Sequence, residues 1–280
     1  MAPSPQHMAL DQTARRVAHV DPRAARAYAA ATNDANPLYA EGRYAPPVFA
    51  VVPTWEPMIG VVRAEVPAQS LPMLLHAEQD MRWLRPLVPG LELHTSAELH
   101  SRRVLRSGTW LTVRAWSDDG EGEPVLEQFA SMFIRGWAPQ EEADAGPERP
   151  GHGFPADARQ RPVAEAMVHV DDDQTFRYRD ASGDDNPIHV DDAFARSVGL
   201  PGIVLHGLCT MAMCGSVVVG TVAGGDPSRL ARLAVRFSKP VLPGSDLSVA
   251  LFDAGGGSFA FEARSDGALV IRDGRAEVRY

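Results

Sequence analysis

Apolar and polar positions along this chain follow two patterns, and both occur twice in the same order. Asp21-Pro22 reads as a helix start, with aspartate as N-cap and proline at the first helical position. The alanine-rich run to Ala31 favours helix, and it stops near Asn36-Pro37 because the residue before proline avoids the helical region. An apolar segment from Pro53 to about Val62, carrying Trp55, Met58 and Val61, predicts a buried helix. Strand-like runs follow at 71–84, 91–101, 109–116 and 125–134. The turn residues between them, Pro89-Gly90, Ser107-Gly108 and Asp118-Asp119-Gly120, predict antiparallel pairing. The same order then recurs: helix over about 172–181, apolar helix over about 206–222, and strands at 229–237, 247–252, 259–264 and 268–280. Residues 1 to about 13 are polar and expected to be loose.

The recurrence extends to individual residues. Thr32-Asn33-Asp34-Ala35-Asn36-Pro37-Leu38-Tyr39 matches Ser182-Gly183-Asp184-Asp185-Asn186-Pro187-Ile188-His189 at an offset of 150, and Tyr28 matches Tyr178 at the same offset. Further on, Arg85-Pro86-Leu87-Val88-Pro89-Gly90 matches Lys239-Pro240-Val241-Leu242-Pro243-Gly244 at an offset of 154. Matched landmarks in one order predict an internal duplication. Residues 138–162, rich in Pro, Gly, Glu and Asp, have the character of a linker, since a structureless loop that long is unusual inside one compact domain. The expected organisation is a first repeat over 14–137, a linker over 138–162 and a second repeat over 163–280.

Composition removes several classes. With 280 residues, 45% hydrophobic and 22% charged, the chain has the balance of a soluble globular protein with a sizeable core. A net charge of −9 gives no basic footprint for nucleic acid, although a local patch can still take an anionic ligand. No run of about 18 apolar residues is present to span a membrane. Cys209 and Cys214 sit in an apolar stretch and read as core residues in a reducing compartment, not as a disulfide or a metal site. The N-terminus lacks a signal-peptide pattern, so a cytoplasmic location is the expectation.

The stretch Tyr178 followed by Ser182-Gly183-Asp184-Asp185-Asn186-Pro187-Ile188-His189 resembles the signature of MaoC-like hydratases, the (R)-specific enoyl-CoA hydratases also called hydratase 2. Each half resembles a hot-dog domain, an antiparallel sheet wrapped around a central helix. The resemblance therefore implies an α+β double hot-dog. It also implies reversible hydration of trans-2-enoyl thioesters to (R)-3-hydroxyacyl thioesters without a cofactor or a metal. The implied substrate is an acyl-CoA or an acyl-carrier-protein thioester, and a homodimer is among the assemblies it allows.

Such chemistry needs a group for the proton at C2, a group for the C3 oxygen or the attacking water, and donors for charge growing on the thioester oxygen. The resemblance assigns Asp184 and His189 as the catalytic pair. Gly183 is suited to ending the preceding helix, and Pro187 keeps the chain from resuming it. The competing reading makes Asp184 a helix-end cap and His189 a structural histidine. Ser182 completes the motif, and Asn186 is read as ordering the turn. Gly207, at the expected start of the second apolar helix, is the candidate oxyanion donor, because backbone N–H groups there are unpaired. His206 beside it reads as structural.

In the first half Tyr39 replaces the histidine, and the 154 offset sets Pro53, without an N–H, at the position of Gly207. Asp34 survives alone. One active site per chain is expected, with the first half as scaffold and Trp55 and Met58 either lining an acyl pocket or filling core. Asp171-Asp172-Asp173 reads as a helix N-terminal charge cluster, and Gly255-Gly256-Gly257-Ser258 as a hairpin turn. A thioesterase, or a thioester-binding subunit without activity of its own, are the alternatives that hot-dog folds support.

Overall fold

The computed structural model describes residues 14–139, 144–153, 158–159 and 162–280. The expectation for the N-terminal tail lies outside these residues. The chain opens with strand β1 (Ala14–His19), then helix α1 (Pro22–Ala31), whose N-cap Asp21 accepts the Arg23 and Ala24 N–H groups at 2.8 and 2.7 Å. A short α2 (Pro37–Ala40) leads through a 3₁₀ turn at Pro47–Ala50 into α3 (Val51–Glu65). Strands β2 (Leu74–Trp83), β3 (Glu92–Leu105), β4 (Gly108–Asp118) and β5 (Pro124–Arg135) follow.

The second half repeats this: β6 (Ala164–His169), α4 (Gln174–Ser182), α5 (Asp192–Ser197), α6 (Gly207–Thr221), then β7 (Leu230–Phe237), β8 (Asp246–Gly255), β9 (Ser258–Ser265) and β10 (Ala268–Val278). The eight expected strands are present, and the Gly256-Gly257 turn joins β8 to β9. Strands β1 and β6 were not expected. Both are six-residue edge strands; exposed and partly buried positions alternate along β6, and four of the six residues of β1 are exposed.

All ten strands form one antiparallel sheet in the order β1-β3-β4-β5-β2-β7-β10-β9-β8-β6. Read from either end, the order is the same once each strand is exchanged for its counterpart in the other half. The register at the seam has the same symmetry. There β2 pairs with β7 so that Glu78 faces Arg236, Asp80 faces Ala234 and Arg82 faces Arg232. Asp80 and Ala234 are themselves 154 apart, so the pair lies on the two-fold relating the halves. On the helix side of the sheet Tyr28 and Tyr178, equivalent by the 150 offset, meet with hydroxyls 3.2 Å apart and rings 5.4 Å apart.

Each long helix packs across the inner face of its own half. Around α6 the core includes Cys209, Met211, Met213, Leu233, Val249 and Phe261. Around α3 it includes Met58, Val61, Val62, Leu111 and Met132. Met58 is therefore core, whereas Trp55 is only partly buried. Both cysteines are buried free thiols, and burial pushes Cys214 up to about 12. Among the described residues, no helix is long and apolar enough to cross a membrane.

The described part of the linker lies against the outer face of the sheet. Ala145 bridges Arg102, and the Nδ1–H of His152 donates to the Asp273 carbonyl at 2.6 Å. Beneath it is a cavity of about 390 Å³, lined among others by Glu78, Arg103, Trp110, Arg149 and Arg236. This cavity is on the face of the sheet away from the helices and shares no residue with the loop at Asp184.

Candidate active site

The loop after α4 is wound by its own side chains. Gly183 ends the helix at φ 78°, a left-handed conformation that costs glycine little. The Ser182 hydroxyl accepts the Asp184 N–H at 3.2 Å, Asp184 Oδ1 accepts the Asn186 N–H at 3.3 Å, and Asn186 Oδ1 accepts the Ile188 N–H at 3.3 Å. Pro187 then starts a 3₁₀ turn that delivers His189 into the protein. Asp34 and Asn36 make the matching bonds in the first half, at 3.2 and 3.1 Å.

His189 is 8% exposed, and its Nδ1 lies 2.7 Å from the Val204 carbonyl. A carbonyl only accepts, so Nδ1 carries the hydrogen and Nε2 keeps a lone pair. Burial moves the ring below its ordinary imidazole value, partly opposed by the Val204 carbonyl and the Asp184 charge. The group is therefore a neutral base near pH 7. His206 is 1% exposed and donates Nε2–H to the Asp184 backbone carbonyl at 3.0 Å. Its ring stacks on His189 with centroids 3.7 Å apart and planes at 24°. Burial, followed by the neighbouring His189, pushes His206 down to about 4.

One donor atom each from Asp184, His189 and His206 lie within 4.8 Å of one another. A divalent transition metal uses such donors. Their arrangement does not suit one, because rings stacked nearly face to face direct their in-plane lone pairs along neighbouring planes and not at a common point.

The third part is the start of α6. Its N-cap, His206, is extended (φ −58°, ψ 135°) and makes no side-chain cap bond. The intrahelical ladder begins with Thr210 N–H on His206 O at 3.1 Å, so the first-turn amides at Gly207 belong to the set a helix leaves without internal partners. A Cβ built on Gly207 would stand 3.2 Å from the Phe237 ring, so glycine here permits close approach of sheet and helix.

The first half contributes a residue without a motif. His76, on β2, lies 5.3 Å from the Phe237 ring and close enough to Asp184 to feel its charge. Burial pushes it down to about 4, and it is bonded to Gln79 at 3.1 Å. Behind it a buried polar chain runs from Gln79 to Gln128 (3.2 Å), Thr54 (2.8 Å) and the Ala50 carbonyl (2.7 Å). A β-bulge between His76 and Glu78 sets His76 and Gln79 out of the two-residue alternation, which left no strand pattern to point to them.

The counterpart site in the first half is closed. Tyr39 is buried with no hydrogen-bond partner for its hydroxyl, and burial pushes the Asp34 carboxyl up. The cavity beside Asp34, lined also by Pro47, Val48, Ser216 and Leu230, has about 10 Å³, roughly one water. The Pro53 expectation needs correcting. Both long helices have 15 residues, and their starts set Val51, not Pro53, opposite Gly207. Val51 has an N–H, but the 3₁₀ turn before it supplies the Val48 carbonyl to receive it. A lead-in of helix, not a proline, is what removes the free amide.

Comparison with known proteins agrees with this layout. Residues 154–263 match the model of the MaoC like domain, and residues 11–128 that of the FAS1-like dehydratase domain region. A probable enoyl-CoA hydratase 2 of Dictyostelium discoideum is 30% identical over 207 residues, covering 73% of this chain and 69% of the relative. The 3-hydroxyacyl-thioester dehydratase Y of Mycobacterium tuberculosis is 32% identical over 245 residues, covering 82% and 80%. Among solved structures, a MaoC-like dehydratase from Phytophthora capsici superposes with a TM-score of 0.85 at 27% identity, over 95% of this chain and 94% of that one.

Proposed function

Since the chain belongs to the MaoC-like family of enoyl-thioester hydratases and 3-hydroxyacyl-thioester dehydratases, a hydro-lyase of double hot-dog fold, we propose that Asp184 and His189 carry its reaction and that the Gly207 amide holds the thioester oxygen. The observation that supports this most is the proximity of the Asp184 carboxylate, the neutral His189 and the uncapped start of α6. In dehydration, His189 Nε2 takes the proton from C2 while electron density moves onto the thioester oxygen, where the α6 amide meets it. Protonated Asp184 then gives its proton to the C3 hydroxyl, which leaves as water as the double bond forms. Hydration runs the same dyad backward: carboxylate takes a proton from water attacking C3, and imidazolium returns one to C2.

In dehydration the His189 Nε2 lone pair must be free, so activity falls as pH drops and the ring takes a proton; because burial holds His189 below the ordinary imidazole value, this acidic limb sits below about 6.5. The (R) configuration, the trans-2-enoyl substrate, CoA as carrier, a cytoplasmic location and a homodimer are parts of the same proposal. So are the repeat boundaries at 137 and 163 and a role for Trp55 in shaping the acyl site. The test is loss of the conjugated-thioester absorbance when the purified chain meets a trans-2-enoyl-CoA and water. Asp184→Asn and His189→Ala are each expected to lower kcat about 100- to 10,000-fold with the fold intact. Full activity in both would remove the dyad, and release of free thiol in its place would make the protein a thioesterase.

A further inference from the structure

We propose that His206 is a positioning residue that braces the dyad, a role resting on the Asp184–His189 reading above. Three contacts carry it. Its Nε2–H donates to the Asp184 backbone carbonyl, which ties the loop bearing the carboxylate to the first residue before α6. Its ring lies 3.7 Å from the His189 ring and covers that face. Its other neighbour is Tyr178, 4.8 Å away, whose hydroxyl meets Tyr28 of the first half. One buried side chain thus joins the acid, the base and the amide donor, and anchors all three to the two-fold axis.

The tautomers follow from the same contacts. Val204 O fixes the hydrogen of His189 on Nδ1, and Asp184 O fixes that of His206 on Nε2. His206 Nδ1 is left as a buried lone pair without a partner. A merely structural histidine in this place would be served as well by any side chain of equal volume, since a buried acceptor left unpaired is costly. Retaining the imidazole makes sense where both its N–H and its flat face are used.

Two substitutions separate these uses. Phenylalanine keeps a flat face and loses the donor; glutamine keeps a donor at similar reach and loses the ring. His206→Phe is expected to lower kcat about 10- to 100-fold through drift of the Asp184 loop, with KM changed less than threefold and the acidic limb of kcat/KM, read in the dehydration direction, unmoved. His206→Gln is expected to lower kcat less, and to move the acidic limb upward, because uncovering His189 lets water reach it and lifts the effect of burial. Melting temperature and circular dichroism establish that each variant is folded. If wild type hydrates the enoyl thioester and both folded variants keep kcat and limb unchanged, the brace is wrong while the dyad stands. If wild type shows no hydration, the dyad reading fails first. A readout that needs no variant is nitrogen-15 NMR of histidine-labelled wild type. It is expected to report Nε2–H for His206 and Nδ1–H for His189, and Nδ1–H on His206 would overturn the proposal.

Discussion

Gly207 has no room for a side chain, and that gives the residue scale its sharpest test. A methyl group there meets three Phe237 ring carbons at 3.2 to 3.3 Å. Gly207→Ala is expected to push the start of α6 off β7 and to lower kcat/KM about tenfold or more. Adding Phe237→Leu, which frees the space, should return most of it. Equal rates in the single variant and wild type would mean that this amide does not meet the substrate. At this scale the sequence was most informative where chemistry is local. Ser182, Asp184 and Asn186 act on neighbours two residues away, so a short motif contains their whole geometry. His206 and His76 were not legible as site residues. Their partners are 22 residues off in one case and in the other half of the chain in the second.

Among the elements, the strands paired along both edges were readable from alternation and turn chemistry. β1 and β6 were not, because an edge strand of six residues whose Val17 or Met167 faces outward buries too little to leave a pattern. The linker was legible as a break but not as a packed element. Its docking depends on Glu78, whose side chain is 6% exposed. Burial alone would raise that carboxyl, but the His152 ring and Arg149 outweigh it and bring it down to about 2. His152 itself is moved above its ordinary value: burial opposes this, and Glu78 and the Asp273 carbonyl prevail. A depressed carboxyl stabilises above its unfolded value and is lost as pH falls. A raised imidazole stabilises below its unfolded value and is lost as pH rises. Linker docking should therefore be firmest between about 4.5 and 6.5. Amide hydrogen exchange over residues 144–153 is expected to be slowest in that window, and exchange independent of pH after intrinsic correction would refute the latch.

Across the whole molecule, the halves are joined by a sheet seam whose outer face carries charge. Arg232 holds Asp80 in a two-pronged pair, with side chains 9% and 5% exposed. Asp80→Asn leaves the guanidinium buried and half served, and is expected to cost about 3–5 kcal/mol in denaturant unfolding. A loss below about 1 kcal/mol would mean that Glu277 and the Gly151 carbonyl suffice for Arg232.

The same pair has a consequence for assembly. Two copies of the first half, meeting edge to edge as β2 meets β7, would set one Asp80 squarely against another on the axis, each keeping its own Arg82 at 3.4 Å but losing the two-pronged Arg232. The register of the seam thus favours the meeting of one half with the other, since only that meeting brings Asp80 its two-pronged arginine.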